Sequence, residues 1–354
     1  MRAAKAPRSA IETKTEAAES TPVTTRSITV LGAGILGLWQ AHALARAGHR
    51  VRLIEASEEP FARAASRYGG VMLAPEREAE TAPPVLRELG REGVAAWRAL
   101  YPRLNCAGAL VVANARDAAE LDRFARQTQE YERVDSERLQ TLEPELAGRF
   151  ASALYFPDEA HMPAPAALEF MLGEVRRAGV EVIFGADRAP DASGTIVDCR
   201  GLAARDSLAD LRGVRGERLI VRSAEIALRR PIQLLHPRQS IYIVPWGDGR
   251  YMIGATLIES EDDGPVTVRS ALELLGAAYA VHPAFGEAQI LELGAGVRPA
   301  FPDNVPRAIV REGGRRVFVN GAYRHGFLLA PVLAAAVSDY LATGRARSPI
   351  LVFE

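Results

Sequence analysis

The stretch GAYRHGFLLAP, residues 321–331, places three polar side chains at the entrance to an apolar segment. Tyr323, Arg324 and His325 stand in a row, and the chain then continues as FLLAPVLAAAVSDYLA, a run typical of a buried helix. The N-terminus of a helix carries free N–H groups and the positive end of the helix dipole, to which these side chains add a cation and hydrogen-bond donors. The pattern therefore predicts a polar site at the start of this helix.

Histidine and cysteine elsewhere in the chain do not form the pattern of a hydrolytic or metal site. No Ser-His-Asp, Cys-His or multi-ligand spacing is present, so neither a triad nor a metal site is expected. Cys106 and Cys199 lie in different segments without a secretory signal, which indicates a reducing, cytoplasmic compartment and no structural disulfide. The other histidines, expected to be structural or exposed, are His42, His49, His161, His236 and His282.

Charge and composition exclude several classes of partner. The formal net charge of −1, with both signs mixed throughout, gives no basic field for nucleic acid and favours small neutral or zwitterionic partners. No run of 18 apolar residues is present, so no membrane span is expected. Residues 1–26 hold few large apolar side chains and are predicted to be a disordered tail. The remainder is long enough for two domains, each with its own core.

The elements that position a site begin with a nucleotide-binding fingerprint in residues 27–56. An apolar strand over 28–31 is followed by the sequence GAGILG, a helical pattern and a second strand over 51–54 that ends on Glu55. Gly32 allows the tight turn, and Gly34 lets a pyrophosphate approach the backbone. Gly37 lets the helix pack closely on the strand. The helix N-terminus would bind the phosphates, and Glu55 a ribose.

The same fingerprint serves NAD and FAD, so the choice of cofactor is open at this point. A nicotinamide dehydrogenase usually continues its β-α-β series, whereas here the periodicity breaks after Glu55. A loop of small residues follows, with Ser66, Gly69, Gly70 and Met72, through which a large flat group can approach the backbone.

The later elements indicate a second, antiparallel domain. Helices are predicted over 83–101, 117–132 and from Pro163 to about Ala178, and strands over 180–184, 195–201 and 218–228. A hairpin follows, with Gly247-Asp248-Gly249 between two alternating runs. The predicted fold class is α/β (α+β overall), with a Rossmann-like dinucleotide-binding domain and an antiparallel-sheet substrate domain. The predicted ranges are 27–80, 143–215 and 290–354 for the first domain, and 81–142 and 216–289 for the second.

The order of motifs resembles the D-amino-acid oxidase family of flavoproteins, in particular the glycine oxidases of thiamin (thiazole) biosynthesis. The likeness covers residues 27–345 and rests on GAGILGL, GGVMLAP, IVDCRG, YIVPWGDGRYMIGAT, GAGVRPAFPD and NGAYRHGFLLAP. It implies the glutathione-reductase type of FAD-binding fold. It also implies oxidative deamination of a small amino acid, such as glycine, sarcosine or a small D-amino acid, to the keto acid with ammonia and H2O2, with O2 as acceptor.

The resemblance also implies roles for individual residues. Arg298 takes the place of the arginine that binds the substrate carboxylate, Tyr242 that of a substrate-side tyrosine, and Arg324 reaches the substrate. The implied FAD contacts are Gly32, Gly34, Ile35, Leu36, Gly37, Glu55, Ala56, Ser66, Gly70, Val71, Met72, Arg188, Cys199, Gly201, Ala322, Tyr323, Arg324, His325, Gly326, Phe327 and Leu328.

Two departures from the family pattern bear on the expectations. Ser240 stands where glycine oxidases can carry a histidine, and Trp246 where a basic residue is common, so the substrate is left open. The attachment cysteine of sarcosine-oxidase relatives is absent from GAGVRPAFPD, so FAD is expected to be noncovalent. The alternatives are a dehydrogenase with an acceptor other than O2 and a flavin-binding subunit of a larger complex. A homo-oligomer is compatible with the sequence.

Overall fold

The fold is described by a computed structural model that covers residues 25–187, 194–237 and 240–354. Its strands are β1 (Ser27–Leu31), β2 (Arg50–Glu55), β3 (Met72–Leu73), β4 (Ala109–Ala113), β5 (Glu132–Asp135), β6 (Ser152–Phe156), β7 (Ala160–His161), β8 (Glu181–Phe184), β9 (Thr195–Asp198), β10 (Arg212–Arg222), β11 (Ile232–Leu235), β12 (Ile241–Gly247), β13 (Arg250–Gly254), β14 (Gln289–Ala300), β15 (Arg307–Arg311), β16 (Arg316–Asn320) and β17 (Leu351–Phe353). Its α-helices are α1 (Ile35–Arg46), α2 (Pro75–Glu78), α3 (Pro84–Leu100), α4 (Ala118–Gln127), α5 (Ser136–Leu142), α6 (Ala164–Arg177), α7 (Val268–Val281) and α8 (Gly326–Thr343).

Seven strands form a mostly parallel sheet in the order β17-β15-β16-β9-β1-β2-β8. The fingerprint lies at its centre, because β1 pairs in parallel with both β2 and β9. The turn after β1 passes so close to β9 that a Cβ at Gly32, where φ is +92°, would lie 2.7 Å from the carbonyl oxygen of Cys199. Glycine is therefore required at this turn. The predicted Rossmann-like fold is confirmed.

Eight strands form the second sheet, in the order β14-β10-β13-β12-β11-β4-β6-β5. Its pairs are antiparallel except for β4 with β11. The predicted hairpin is present as β12 and β13, which the turn at Gly247-Asp248-Gly249 connects. The expected antiparallel sheet therefore exists beside the parallel one.

Strand pairing divides the chain at points other than the predicted domain limits, and these limits stay a proposal. β6 and β14 fall in ranges assigned to the FAD-binding part, yet both hydrogen-bond within the eight-stranded sheet. An alternating pattern shows that a strand exists but does not show which sheet it joins. The predicted tail is almost entirely outside the described residues, as is Arg188.

Three predicted elements have different ends. The strand predicted over 195–201 is β9, which ends at Asp198, before the turn that contains Gly201. The helix predicted over 117–132 is α4, which ends at Gln127 because Thr128 is extended and its hydroxyl donates to the carbonyl of Phe124 at 2.9 Å. The chain then enters β5. The strand predicted over 218–228 is β10, which begins at Arg212 and ends at Arg222. In all three cases the sequence pattern found the element and misplaced at least one of its ends.

Helix α8 is the most apolar helix of the described chain. By length and composition alone it could cross a membrane, but 56% of its apolar window is buried inside the protein, against α1 and α3. Burial in the core accounts for its composition, so the helix is weak evidence for a membrane span.

A proline inside α8 is compensated by a side chain from α3. Pro331 has no N–H, so the carbonyl of Phe327 lacks its usual donor four residues along the helix. The indole Nε1–H of Trp97 donates to that carbonyl at 2.6 Å, and both groups are buried. This bond fixes the first turn of α8 against α3.

Candidate active site

One large cavity, of about 1360 Å³, lies between the fingerprint and the second sheet. It begins beside the end of β2, passes the N-terminus of α1 and the loop over 66–72, and ends among residues of β12, β14 and the start of α8. Single ligand pockets usually enclose roughly 300–1,000 Å³, so this space is large enough for a dinucleotide together with a small substrate.

Two helix N-termini open onto this cavity. Gly34 and Ile35 line it at the start of α1, and Gly326 and Phe327 line it at the start of α8. The first four N–H groups of a helix have no partner within the helix, and the dipole is positive at this end. Both ends of the cavity therefore favour negative charge, one beside the fingerprint and one beside the second sheet.

Glu55 closes the fingerprint end of the cavity. Its Oε2 accepts from the backbone N–H of Ala33 at 2.7 Å, and its Oε1 accepts from that of Ser57 at 3.0 Å. These two bonds fix the carboxylate between β2 and the turn after β1. A carboxylate has about four acceptor positions, so Glu55 keeps the capacity to accept from a ribose hydroxyl.

The loop of small residues lies between α1 and the second sheet. The hydroxyl oxygen of Ser66 accepts from the N–H of Ile35 at 3.3 Å, which attaches the loop to the first turn of α1. Farther along, a Cβ at Gly70 would lie 2.6 Å from Cε of Met252 and 2.8 Å from Cε2 of Tyr242. The backbone of Gly70 therefore packs directly against the ring of Tyr242, and a side chain at this position would collide with that ring.

Arg298 lies on β14, with its guanidinium over the backbone of Gly216 on β10. Its Nη1 donates a long hydrogen bond of 3.4 Å to the carbonyl of Thr256. Within the described residues, no carboxylate forms an ion pair with it. Burial lowers the pKa of Arg298 from its ordinary value, but a guanidinium remains a cation at neutral pH. The cavity therefore contains a fixed positive charge that lacks an anionic partner.

Arg324 has such a partner, Glu78 at the end of α2. Its Nη2 lies 3.3 Å from Oε1 of Glu78. Burial acts to raise the pKa of Glu78, yet Arg324 outweighs this effect together with other nearby groups, and the pKa lies below its ordinary value. Glu78 in turn raises the pKa of Arg324. The two side chains form an ion pair at the cavity wall.

His325 lies behind this pair, outside the cavity lining. It is buried, and its Nδ1 lies 3.7 Å from Oε2 of Glu78. Burial lowers the pKa of His325 below 6.5, so the ring is neutral at neutral pH. Its backbone carbonyl accepts from the N–H of Leu329 at 2.8 Å, in the first turn of α8. Its position is that of a helix-start residue.

A second ion pair borders the cavity at Arg77. Like the pair of Arg324 and Glu78, it was not predicted from the sequence. Its side chain contacts Glu159, its backbone N–H donates to the same carboxylate at 2.9 Å, and both residues are buried. Its Nη1 donates to Gln233 at 3.3 Å, and Gln233 pairs with Tyr242 between β11 and β12. No local signal marks this pair or Glu78, because their partners are distant in the chain.

A family model described as DAO, FAD dependent oxidoreductase, matches residues 27–340. The chain belongs to this family. The resemblance to D-amino-acid oxidases is thereby confirmed, and FAD is the cofactor. The matched range contains every described strand of both sheets except β17, and every residue that lines the cavity.

Individual relatives agree with the family. The chain is 49% identical over 318 residues to a Rhizobium etli protein named thiamine biosynthesis oxidoreductase ThiO, over 89% of this chain and 96% of the relative. It is 26% identical over 351 residues to the glycine oxidase of Geobacillus kaustophilus, over 88% and 92%. The solved glycine oxidase of Bacillus cereus shares the fold, with a TM-score of 0.77 at 23% identity, over 91% and 96%.

The residues present fit the FAD of this family. The cavity lining includes both helix N-termini, the loop of small residues and the fixed carboxylate of Glu55, which suit a pyrophosphate, a flat ring and a ribose. Most of the predicted contacts line this one cavity: Gly32, Gly34, Ile35, Leu36, Glu55, Ala56, Ser66, Gly70, Val71, Met72, Cys199, Gly201, Ala322, Tyr323, Arg324, Gly326, Phe327 and Leu328. Tyr242 and Arg298 line it too.

Three predicted contacts do not line the cavity. Gly37 packs against the backbone of Gly32, where a Cβ would collide with the carbonyl oxygen, so its position is that of a packing residue. His325 lies behind Glu78, and Arg188 is outside the described residues. The roles assigned to the lining residues stay predictions.

Proposed function

We propose that this protein is an FAD-dependent oxidase that deaminates a small amino acid, with glycine as the principal substrate, in thiamin (thiazole) biosynthesis. The products are the imine, which water converts to the keto acid and ammonia, and H2O2 from O2. The relative named ThiO and the glycine oxidase relative support the pathway and the substrate. The observation that carries the proposal is the cationic Arg298 in the cavity, which has no anionic partner among the described residues.

Arg298 binds the substrate carboxylate. A guanidinium presents two parallel N–H donors that match both carboxylate oxygens, so it sets the angle as well as the distance of the bound amino acid. The carboxylate does not change during the reaction and therefore suits a permanent anchor. FAD, when bound, supplies the acceptor for the hydride from the substrate Cα.

Two tyrosines complete the substrate end. Burial raises the pKa of Tyr323, so its hydroxyl keeps its proton at neutral pH and can donate a hydrogen bond. Tyr242 lines the same cavity on β12. The N-terminus of α8, which starts beside Tyr323, stabilises negative charge that develops at this end during reduction.

The proposal includes noncovalent FAD and a cytoplasmic location. Cys106 and Cys199 are both free. Only Cys199 lines the cavity, and burial raises the pKa of its thiol well above the ordinary value, which makes it a poor nucleophile for flavin attachment. Acid treatment should therefore release the yellow cofactor completely into the supernatant.

Product analysis tests the reaction itself. Purified protein is supplied with glycine, sarcosine or D-alanine in air without an added acceptor, and H2O2, the keto acid and the released amine are measured, the amine being ammonia from glycine or D-alanine and methylamine from sarcosine. The proposal predicts equal amounts of H2O2 and keto acid, with the highest kcat/KM for glycine. Turnover only with an added dye or quinone would instead indicate a dehydrogenase, and no turnover with any amine would indicate a non-catalytic subunit.

A further inference from the structure

The substrate end of the cavity has three guanidinium groups, of which two are already paired. Arg77 is paired with Glu159, and Arg324 is paired with Glu78. Among the described residues, Arg298 forms no ion pair with a carboxylate and donates one long hydrogen bond, of 3.4 Å, to the carbonyl of Thr256. Each ion pair cancels one positive charge, so of these three guanidinium groups only Arg298 is uncompensated by the part of the chain that the structure describes. That balance matches a substrate with one carboxylate.

The pair of Arg324 and Glu78 is the one that a substrate could disturb. Arg77 and Glu159 are both buried, whereas about a third of the Arg324 side chain is exposed, at 35%, and both Arg324 and Glu78 line the cavity. A second anionic group on the substrate would face Arg324. To bind it, Arg324 would have to leave Glu78.

Separation of this pair would be unfavourable because of the surroundings of Glu78. Its Oε2 is buried without a hydrogen-bond partner among the described residues, and His325 beside it is neutral. Arg77 also lowers the pKa of Glu78, but it is itself paired with Glu159. Loss of Arg324 would therefore leave a buried carboxylate without a direct cationic partner, which costs far more than the loss of an exposed ion pair. The carboxylate would also repel a dianionic ligand directly.

We infer that Glu78 determines the charge selectivity of the site: by occupying Arg324, it restricts binding to amino acids with one carboxylate and excludes dicarboxylic amines. This inference rests on the proposed function, since it takes Arg298 as the anchor of the first carboxylate. It assigns Glu78 a role in specificity, through Arg324, and none in the chemical step. An iminodiacetate oxidase shares this fold, so the scaffold itself can accept a dicarboxylic amine.

The test compares a monocarboxylate with a dicarboxylate in binding to the FAD-loaded protein. Glycolate and malonate lack the amine and cannot be oxidised as amino acids, so each is titrated against the flavin absorbance spectrum. Glu78→Gln removes the charge and keeps the shape and the amide oxygen that Arg324 can contact. It should strengthen malonate binding relative to glycolate by about tenfold or more, since the freed guanidinium gains a charged partner.

Two further variants control the test. Glu80→Gln removes a carboxylate from the same segment and the same cavity wall, but Glu80 is paired with Arg123 at 3.0 Å and acts on Arg324 less than Glu78 does, so its effect on selectivity should be much smaller than that of Glu78→Gln. Glu78→Asp keeps the charge and should retain the preference for glycolate. If Glu78→Gln does not fold, Arg324→Gln tests the same point, because Glu78 then repels malonate and the preference for glycolate should increase.

The outcomes separate the inference from the proposed function. An unchanged ratio of malonate to glycolate affinity in Glu78→Gln, or an equal change in Glu80→Gln, overturns the inference. A wild-type protein whose spectrum does not respond to glycolate overturns the proposed carboxylate site instead. Initial rates with glycine and iminodiacetate provide a second readout and should shift in the same direction as the affinities.

Discussion

Nη2 of Arg324 lies 3.3 Å from Oε1 of Glu78, although 246 positions separate the two residues in the chain. This ion pair connects the start of α8 to the end of α2 at the substrate end of the cavity. It leaves Arg298 as the guanidinium at that end that is available to an anion. In the proposed function, this relationship is the reason that a site with several arginines selects a small amino acid with one carboxylate.

Substitution of Arg324 by Met should lower turnover more than it lowers the FAD content of the purified protein. The guanidinium belongs to the substrate end, and the other flavin contacts predicted for this segment, from Ala322 to Leu328, are left in place by the substitution. The ratio of flavin to protein absorbance and kcat for glycine are measured on the same preparation. Equal loss of both would assign Arg324 to the folding of the helix start.

Substitution of Gly34 by Val should abolish most FAD binding while the chain still folds. A Cβ at Gly34 has only ordinary neighbours, Oγ of Ser66 at 3.7 Å and Cβ of Ala64 at 4.0 Å, so the fold has room for it. The side chain would occupy the space where a pyrophosphate approaches the helix N-terminus.

The matched control for Gly34→Val is Gly276→Val on α7, where a Cβ would meet nothing within 4 Å. Flavin absorbance and circular dichroism are recorded for both variants. A Gly34→Val protein that keeps its full complement of FAD would contradict the placement of the pyrophosphate at this turn.

Local motifs made the nucleotide-binding part predictable, because the glycines, the helix and Glu55 lie together in one strand–turn–helix–strand unit of about thirty residues. Arg298 and Tyr242 were found because they lie in distinctive family motifs. Glu78 and Arg77 were missed, since their partners Arg324 and Glu159 become neighbours only in the folded chain. The sheet that β6 and β14 join was missed for the same reason: strand patterns do not encode long-range pairing.

Replacement of Trp97 by Phe should destabilise the protein by about 1–3 kcal/mol, the cost of a buried carbonyl left without a donor. The carbonyl of Phe327 depends on Trp97 because Pro331 cannot supply an N–H. Chemical denaturation measures the change in the free energy of unfolding. In the double variant Trp97→Phe/Pro331→Ala, the new backbone N–H should restore part of the loss; a purely additive result would show that the hydrogen bond is not the cause.

His161 should make the protein less stable in mild acid. Burial, followed in importance by the nearby Arg77, lowers the pKa of His161 from 6.5 to about 4. Since the folded pKa is the lower one, the unfolded chain binds the proton first, and the stability from neutral His161 is present above pH 6.5 and lost as the pH falls toward 4. This change in the pKa of His161 corresponds to at most about 3 kcal/mol in the free energy of unfolding.

Thermal denaturation between pH 7 and 4 tests this effect in wild type and His161→Gln. The wild-type midpoint should fall more steeply with pH than that of the variant, whose side chain does not titrate. The control variant is His282→Gln. His282 is less buried than His161, and its pKa is also lowered by burial, so the midpoint of this variant should follow that of the wild type more closely. Parallel curves for wild type and His161→Gln would refute the assignment.

The central claim is that Arg298 anchors the substrate carboxylate, and a titration of the flavin spectrum with glycolate measures this directly. A charge-assisted pair at such a site contributes roughly 1.5–3 kcal/mol, so Arg298→Ala should weaken glycolate binding and raise the KM for glycine by about ten- to a hundredfold. Arg298→Lys should recover little of the loss, because a point charge cannot reproduce the bidentate geometry. A spectral shift that persists in Arg298→Ala at the wild-type glycolate concentration would show that the carboxylate is bound elsewhere.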